Sequence, residues 1–260
     1  MGHVDGLDLN DQQIAILAGW DNPQDIFGVE IDNVKFWNLD SWDAPQQEDT
    51  TSSPELDIEY ILEYVGTELP PTFEDDFKAE SEEWGSDLTN RVITSMIRDE
   101  MLVVENRHTD LIFPTTAFLN AENFVLSFDF VPGTLDNPDI GSIAVEFLST
   151  GFSDMAYYKF KISYSSLGTD GWLFSQGDGS SIRTTDTGVV WINETEFNRV
   201  QVLVWQEQLA VLINDELIYQ DSGLITWGSD IYFVKGGATN SRLAMDNVTF
   251  WNLDGVEINP

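Results

Sequence analysis

Cysteine is absent from the sequence, which excludes disulfides, thiolate catalysis and Cys-ligated zinc. Histidine is almost as scarce, present only as His3 and His108, so His-based catalysis and His-rich metal sites have little to draw on. Basic residues are few: 11 Lys and Arg stand against 46 Asp and Glu, for a formal net charge of −35. Such a field repels phosphate backbones, which makes nucleic acid and anionic membranes poor partners. It attracts divalent cations and tolerates salt, and as a plain solubility device it suits an extracellular or salt-adapted surface. No run reaches the roughly 18 to 20 apolar residues of a membrane helix, and there is no Walker loop, dinucleotide fingerprint or H-E-x-x-H. The opening MGHVDGLDLN lacks the basic and apolar segments of a signal peptide. The expectation is a chain cut from a longer secreted one.

What is present is enough to fold. With 42% hydrophobic and 12% aromatic residues, the 260-residue chain can bury a sizeable core. Its clearest feature is an internal repeat. Residues 30–40 read E-I-D-N-V-K-F-W-N-L-D and residues 244–254 read A-M-D-N-V-T-F-W-N-L-D. Asp32 thus matches Asp246, Asn33 matches Asn247, Phe36-Trp37 match Phe250-Trp251, and Asn38-Leu39-Asp40 match Asn252-Leu253-Asp254. Only the second copy has a full body before it. The expected organisation is residues 1–40 as closing strands of a preceding, truncated module of the same type, 41–71 as an acidic Pro/Thr/Ser linker, and 72–254 as a complete β-module. A hairpin without its sheet is marginal alone, so the first segment packs on the complete module or fills an edge of a neighbouring chain. Within the linker, residues 56–65 are more apolar and read as a short strand or a helical turn.

From Thr72 onward, short alternating runs are separated by turn residues, at 101–104, 124–131, 142–148, 157–164, 171–175, 199–206, 209–213, 216–220, 231–234 and 243–250. In the second run Val125, Ser127, Asp129 and Val131 face away from Phe124, Leu126, Phe128 and Phe130. Asn214-Asp215 marks a tight turn, since both residues tolerate positive φ. Helical periodicity is missing, and the pattern is that of an all-β sandwich or jelly roll.

The segments F-E-D-D-F at 73–77 with Trp84, F-V-L-S-F-D-F at 124–130, the long run at 200–218 and the closing M-D-N-V-T-F-W resemble LamG-like modules of the concanavalin A-like lectin/glucanase superfamily. The resemblance covers residues 72–254. It implies an antiparallel β-sandwich (jelly roll), an extracellular or cell-surface setting on a large multi-module bacterial protein, and a carbohydrate-facing or adhesive role. Because this fold hosts lectins, adhesion modules and glycosidases alike, three readings stand. The first is a non-catalytic module for glycan binding, adhesion or assembly. The others are a retaining β-glucan hydrolase and a filament subunit built by strand addition.

The candidate sites divide accordingly. Glu55-Leu56-Asp57-Ile58-Glu59 resembles the E-x-D-x-E strand of retaining β-glucanases, where the resemblance implies a nucleophile, an assisting Asp and a general acid/base on one strand face. In those enzymes the motif lies deep in the sandwich; here it precedes the opening strand in an acid-rich stretch, so chance is the simpler reading. Related modules hold Ca²⁺ where first and last strands run together, which implies Glu74, Asp76 and Asp246 as oxygen ligands; the alternative is solvated edge charge. Trp172, in a turn-rich stretch with Asp170, is a candidate sugar platform, and Trp191 with Tyr157 extends the same surface. The alternative for Trp172 is packing. Trp205 and Trp251 lie in alternating strands and read as packing residues. Asn193 and Asn247 head N-glycosylation patterns, the second inside an expected core strand.

Overall fold

The computed structural model describes residues 57–78, 84, 93–106, 111–113, 119–133, 141–150, 156–164, 170–178, 182–237 and 241–258. The chain divides into two units, Met1–Ser53 and Pro54–Pro260, and every described residue belongs to the second. The first copy of the repeat, and Glu55, lie outside the described residues.

The apolar stretch before the module is a helix, α1 (Ile58–Thr67). Ile58, Ile61, Leu62 and Val65 recur at i, i+3, i+4 and i+7, which gathers them on one face. Asp57 caps the start by accepting the Tyr60 N–H at 3.0 Å, and Glu59 adds negative charge to the first turn. At the other end the Glu68 N–H donates to the Tyr64 carbonyl at 2.8 Å, and Pro70 and Pro71 bar continuation.

Among the described residues fourteen strands follow, in two antiparallel sheets. They are β1 (Phe73–Asp75), β2 (Ile93–Arg98), β3 (Met101–Asn106), β4 (Leu111–Phe113), β5 (Phe124–Pro132), β6 (Gly141–Ser149) and β7 (Ala156–Tyr164). Then come β8 (Gly171–Asp178), β9 (Ile182–Val189), β10 (Asn198–Trp205), β11 (Gln208–Ile213), β12 (Glu216–Ser222), β13 (Asp230–Gly237) and β14 (Arg242–Asn252). Sheet A runs β12-β11-β10-β5-β14-β3-β2, with β1 sharing β14's edge beyond β3; sheet B runs β4-β13-β6-β7-β8-β9. The first and last strands therefore do run together, Phe73 opposite Phe250 and Glu74 opposite Thr249.

Alternation decides which side chains enter the core. Phe124, Leu126, Phe128 and Phe130 of β5 are buried between the sheets with Val200, Val202 and Val204 of β10 and Phe160 and Ile162 of β7. Aromatic rings tie the layers: Phe128 meets Phe233 edge-on at 5.0 Å, and Phe174 tilts against Tyr219 at 4.8 Å. Each such Phe contributes about 1.5–3 kcal/mol by leaving water. On the outer face of sheet A, Val125, Leu203, Trp205, Ala210 and Leu212 form a second cluster, covered by Ile61 and Val65 of α1. Met101, Val103, Val131 and Ala244 form a third. Between these two apolar patches the outer face is polar, with Ser127, Asp129 and Gln201 in succession.

One break in the alternation matters. In β14 the partner of Asp129 is Asp246 and the partner of Ser127 is Thr249, so one extra residue is accommodated by a β-bulge. Asn247 takes the left-handed conformation there, φ 50°. Both Asp246 and Asn247 consequently stay on the outer side, while Val248 and Phe250 return to the core. Asn247 is exposed, not enclosed in a core strand as its sequence position implied.

Candidate functional site

The hairpin of β8 and β9 ends where Gly171 pairs with Val189. Just beyond, the Val190 N–H donates to the Asp170 carbonyl at 3.4 Å, and the Ile192 N–H donates to Asp170 Oδ2 at 3.2 Å. Asp170 thus holds the segment after β9 extended, and alternation does the rest. Val190 and Ile192 plug into the inter-sheet core, while Val189 and Trp191 face out with 88% and 72% of their surface exposed. An exposed tryptophan forfeits much of the free energy its ring would gain by burial, so its place on the rim is informative.

The loop that follows is tightly tied. The Asn193 N–H donates to Asn198 Oδ1 and Asn198 Nδ2 donates to the Asn193 carbonyl, both at 2.8 Å. Asn193 Nδ2 reaches Glu196 Oε2 at 2.8 Å, and Asn193 Oδ1 accepts the Thr195 N–H at 3.1 Å. This sets Glu194 beside the tryptophan. Asp170, Val189, Val190, Trp191, Ile192 and Glu194 line one open cleft of about 370 Å³. The arrangement pairs an apolar ring surface with two carboxylate acceptors, the chemistry that suits a pyranose with a C–H face and a hydroxylated edge.

A second polar group lies on the outer face of sheet B and was not read from the sequence. Lys159 of β7 forms an ion pair with Glu146 of β6, both largely buried, and its ammonium sits 5.3 Å from the Tyr157 ring centroid. Tyr232, paired opposite Glu146, donates to Asp230 Oδ2 at 2.9 Å, and Asn120 Nδ2 donates to Asp230 Oδ1 at 2.9 Å. Burial first, then the Asp230 carboxylate, pushes the Tyr232 hydroxyl up to about 12. These residues sit on four separate segments, so only the pairing register brings them together.

No family model matches the chain, and no curated protein is similar to it. Solved structures are. A carbohydrate-binding module, CBM66 from Bacillus subtilis, superposes with a TM-score of 0.50 at 12% identity, over 64% of this chain and 96% of that one. A Bacillus subtilis protein with a galectin-like fold gives 0.55 at 10% identity, over 70% and 96%. The fold is a concanavalin A-like jelly roll. A laminarinase from Flavobacterium sp. UMI-01 is also similar, with a TM-score of 0.49 at 11% identity, over 70% of this chain and all of the other.

Within this jelly roll the candidate residues separate. Asp170 and Trp191 come together in the cleft. Trp172 does not join them: it shares the inward face of β8 with Phe174, stacks on Phe160 at 5.6 Å and tilts against Tyr219 at 5.1 Å. Its ring lies on Gly188, where an added Cβ would come within 2.4 Å of Nε1. Trp172 is a packing residue because strand alternation turns it inward. Tyr157 faces outward on sheet B opposite Gly177, at the far end of β8 from Asp170, so it belongs with Lys159 rather than with Trp191. Trp205 packs beneath α1, and Trp251 also lies there with its Nε1 donating to the Leu69 carbonyl at 3.1 Å.

Of the carboxylate motif at 55–59, Asp57 and Glu59 are not on a strand. Asp57 is a helix cap and Glu59 lies exposed in the first turn of α1, so the alternation that would place three carboxylates on one strand face is missing. The three residues of the calcium expectation have the following partners. Glu74 is exposed, and Asp75 accepts the Phe77 N–H at 2.8 Å. Asp76 is paired to Lys78 at 2.6 Å, a bond that holds its carboxyl below the usual range. Asp246 accepts the Asn247 N–H at 2.8 Å; burial raises its pKa, and the charges of Asp129 and Asp76 add to the effect. Among the described residues no group of three or more His, Asp or Glu is placed to hold a metal ion. Lys78 brings a positive charge to this patch.

Proposed function

We propose that the chain is a non-catalytic, extracellular glycan-binding module and that its sugar contact is the Trp191 cleft. The observation that carries this reading is a tryptophan 72% exposed on the rim of a cleft whose polar groups are the carboxylates of Asp170 and Glu194. A pyranose stacks its C–H face on such a ring and directs hydroxyls to such acceptors. The likeness to a carbohydrate-binding module supports the reading at the level of fold, and the net charge of −35 argues for neutral or cationic glycans over anionic ones. Open clefts of this kind bind in the micromolar to millimolar range, and tandem modules raise that by avidity.

The hydrolase alternative has less behind it, since Asp57 and Glu59 stand at a helix start. A glycan array probed with the wild-type chain tests the binding reading: retention on a defined set of glycans supports it, and a blank array at high protein concentration overturns it. Incubation of the retained glycan with the protein, followed by assay of new reducing ends, separates binding from hydrolysis; release of sugar would replace the proposed role with an enzymatic one.

A further inference from the structure

The outer face of sheet A holds a second pocket that shares no residue with the Trp191 cleft. It is about 280 Å³ in volume and lies between α1 and strands β5, β10 and β14. That is the small end of ligand pockets. One wall is apolar, made by Leu62 and Val65 of the helix. The floor is polar and is built by alternation on three adjacent strands.

Asp129 is at its centre. Its Oδ2 accepts from Asn247 Nδ2 at 2.9 Å, and its Oδ1 faces Arg199 Nε at 3.4 Å. The arginine balances the carboxylate, so the pocket carries no net charge in a molecule whose surface is overwhelmingly acidic. Around this pair stand Ser127, Gln201 and Thr249, whose side chains have no hydrogen-bond partner among the described residues. Two hydroxyls and an amide left unengaged, at the floor of a concavity, are ready to exchange water for a ligand's polar groups. Trp251 flanks them with its N–H already given to the Leu69 carbonyl, which leaves only ring surface facing the space. The bulge in β14 is what brings Asn247 into the set.

We propose that this pocket binds a neutral polyhydroxylated small molecule, a single sugar ring or a polyol. Donors and acceptors both line the floor, as hydroxyls require, and the apolar wall suits a C–H face. Charge balance disfavours an anion or a cation. The proposal stands apart from the Trp191 reading, since neither site contributes a residue to the other.

Gly66 supplies the decisive variant. It lines the pocket on α1, and an added Cβ there meets no heavy atom within 4 Å. Gly66→Phe therefore starts a bulky side chain at the pocket's edge from a Cβ that meets nothing, and it has better helix propensity. The experiment follows the side-chain amide signals of Gln201 and Asn247 by NMR while D-glucose, D-galactose, D-fructose, glycerol and myo-inositol are each titrated to millimolar concentration. At least one of these probes is expected to shift both amides saturably. Gly66→Phe, checked for an unchanged unfolding midpoint, is expected to weaken that binding at least tenfold, and Gln201→Ala to do the same. Trp191→Ala is expected to leave it unchanged. Absence of a saturable shift with all five probes overturns the proposal. So does wild-type affinity in either pocket variant, or loss of binding in Trp191→Ala.

Discussion

Asp246 and Asn247 are neighbours in sequence that a regular strand would send to opposite faces, and only the left-handed φ of Asn247 keeps both outside. The repeated motif around them is largely structural in the copy described. Asn252 Nδ2 donates to the Asn120 carbonyl at 3.1 Å, and Asp254 takes the backbone N–H groups of Glu122 and Asn123 at 3.0 and 2.8 Å. Asp246 is the member held at a disadvantage. Because its pKa is raised above the ordinary 3.8, mainly by burial, its favourable contribution is complete below that value and is lost as pH rises through the folded-state pKa. Asp246→Asn should therefore raise the melting temperature at pH 7, with the gain shrinking toward zero in scans below about pH 4. A gain that grows on acidification would refute that assignment.

At the scale of elements, turns and the helix decide how much could be read. Among the described residues three hairpins close on two-residue turns in which both residues are left-handed: Asp99-Glu100, Gln206-Glu207 and Asn214-Asp215. Asn214-Asp215 was legible because those side chains tolerate the conformation; Gln206-Glu207 was not, since neither is a turn former. Replacing Gln206-Glu207 with Asn-Gly should stabilise the protein by about 1–2 kcal/mol in denaturant unfolding, and no change would mean the strain is absent. β9 escaped notice for a different reason. As an edge strand exposed over most of its length, with Thr184, Thr185 and Thr187, it has no buried face to impose an apolar alternation. The helix was half-legible. Over Glu55 to Glu59 the residues alternate as a strand would, and the i, i+3, i+4, i+7 spacing emerges only by Val65. Ile61→Ala should cost about 2–4 kcal/mol, because Ile61 on the packed face of α1 is 2% exposed; a cost below about 0.5 kcal/mol would show the helix to be loosely docked.

For the molecule as a whole, composition and alternation were sufficient for the jelly roll, because sheet faces and hydrophobic period are the same information. The site was legible only in part. Trp191 and Asp170 were identifiable as residue types, but their meeting depends on the pairing of Gly171 with Val189. The cluster of Glu146, Lys159 and Tyr232 depends on register across three strands, which one sequence does not carry. The net charge of −35 makes a prediction of its own: added NaCl screens the self-repulsion, so the unfolding midpoint should rise with salt, and a fall would place the dominant ionic contribution in attractive pairs.

The central claim is that Trp191 is where glycan touches this protein. Isothermal titration of the array-selected glycan into wild type and Trp191→Ala, side by side, tests it most directly. A ring 72% exposed adds little to folding, so the variant should melt with the wild type. Its affinity should fall about tenfold or more, which is about 1.4 kcal/mol. Equal affinity in the two proteins would contradict the account.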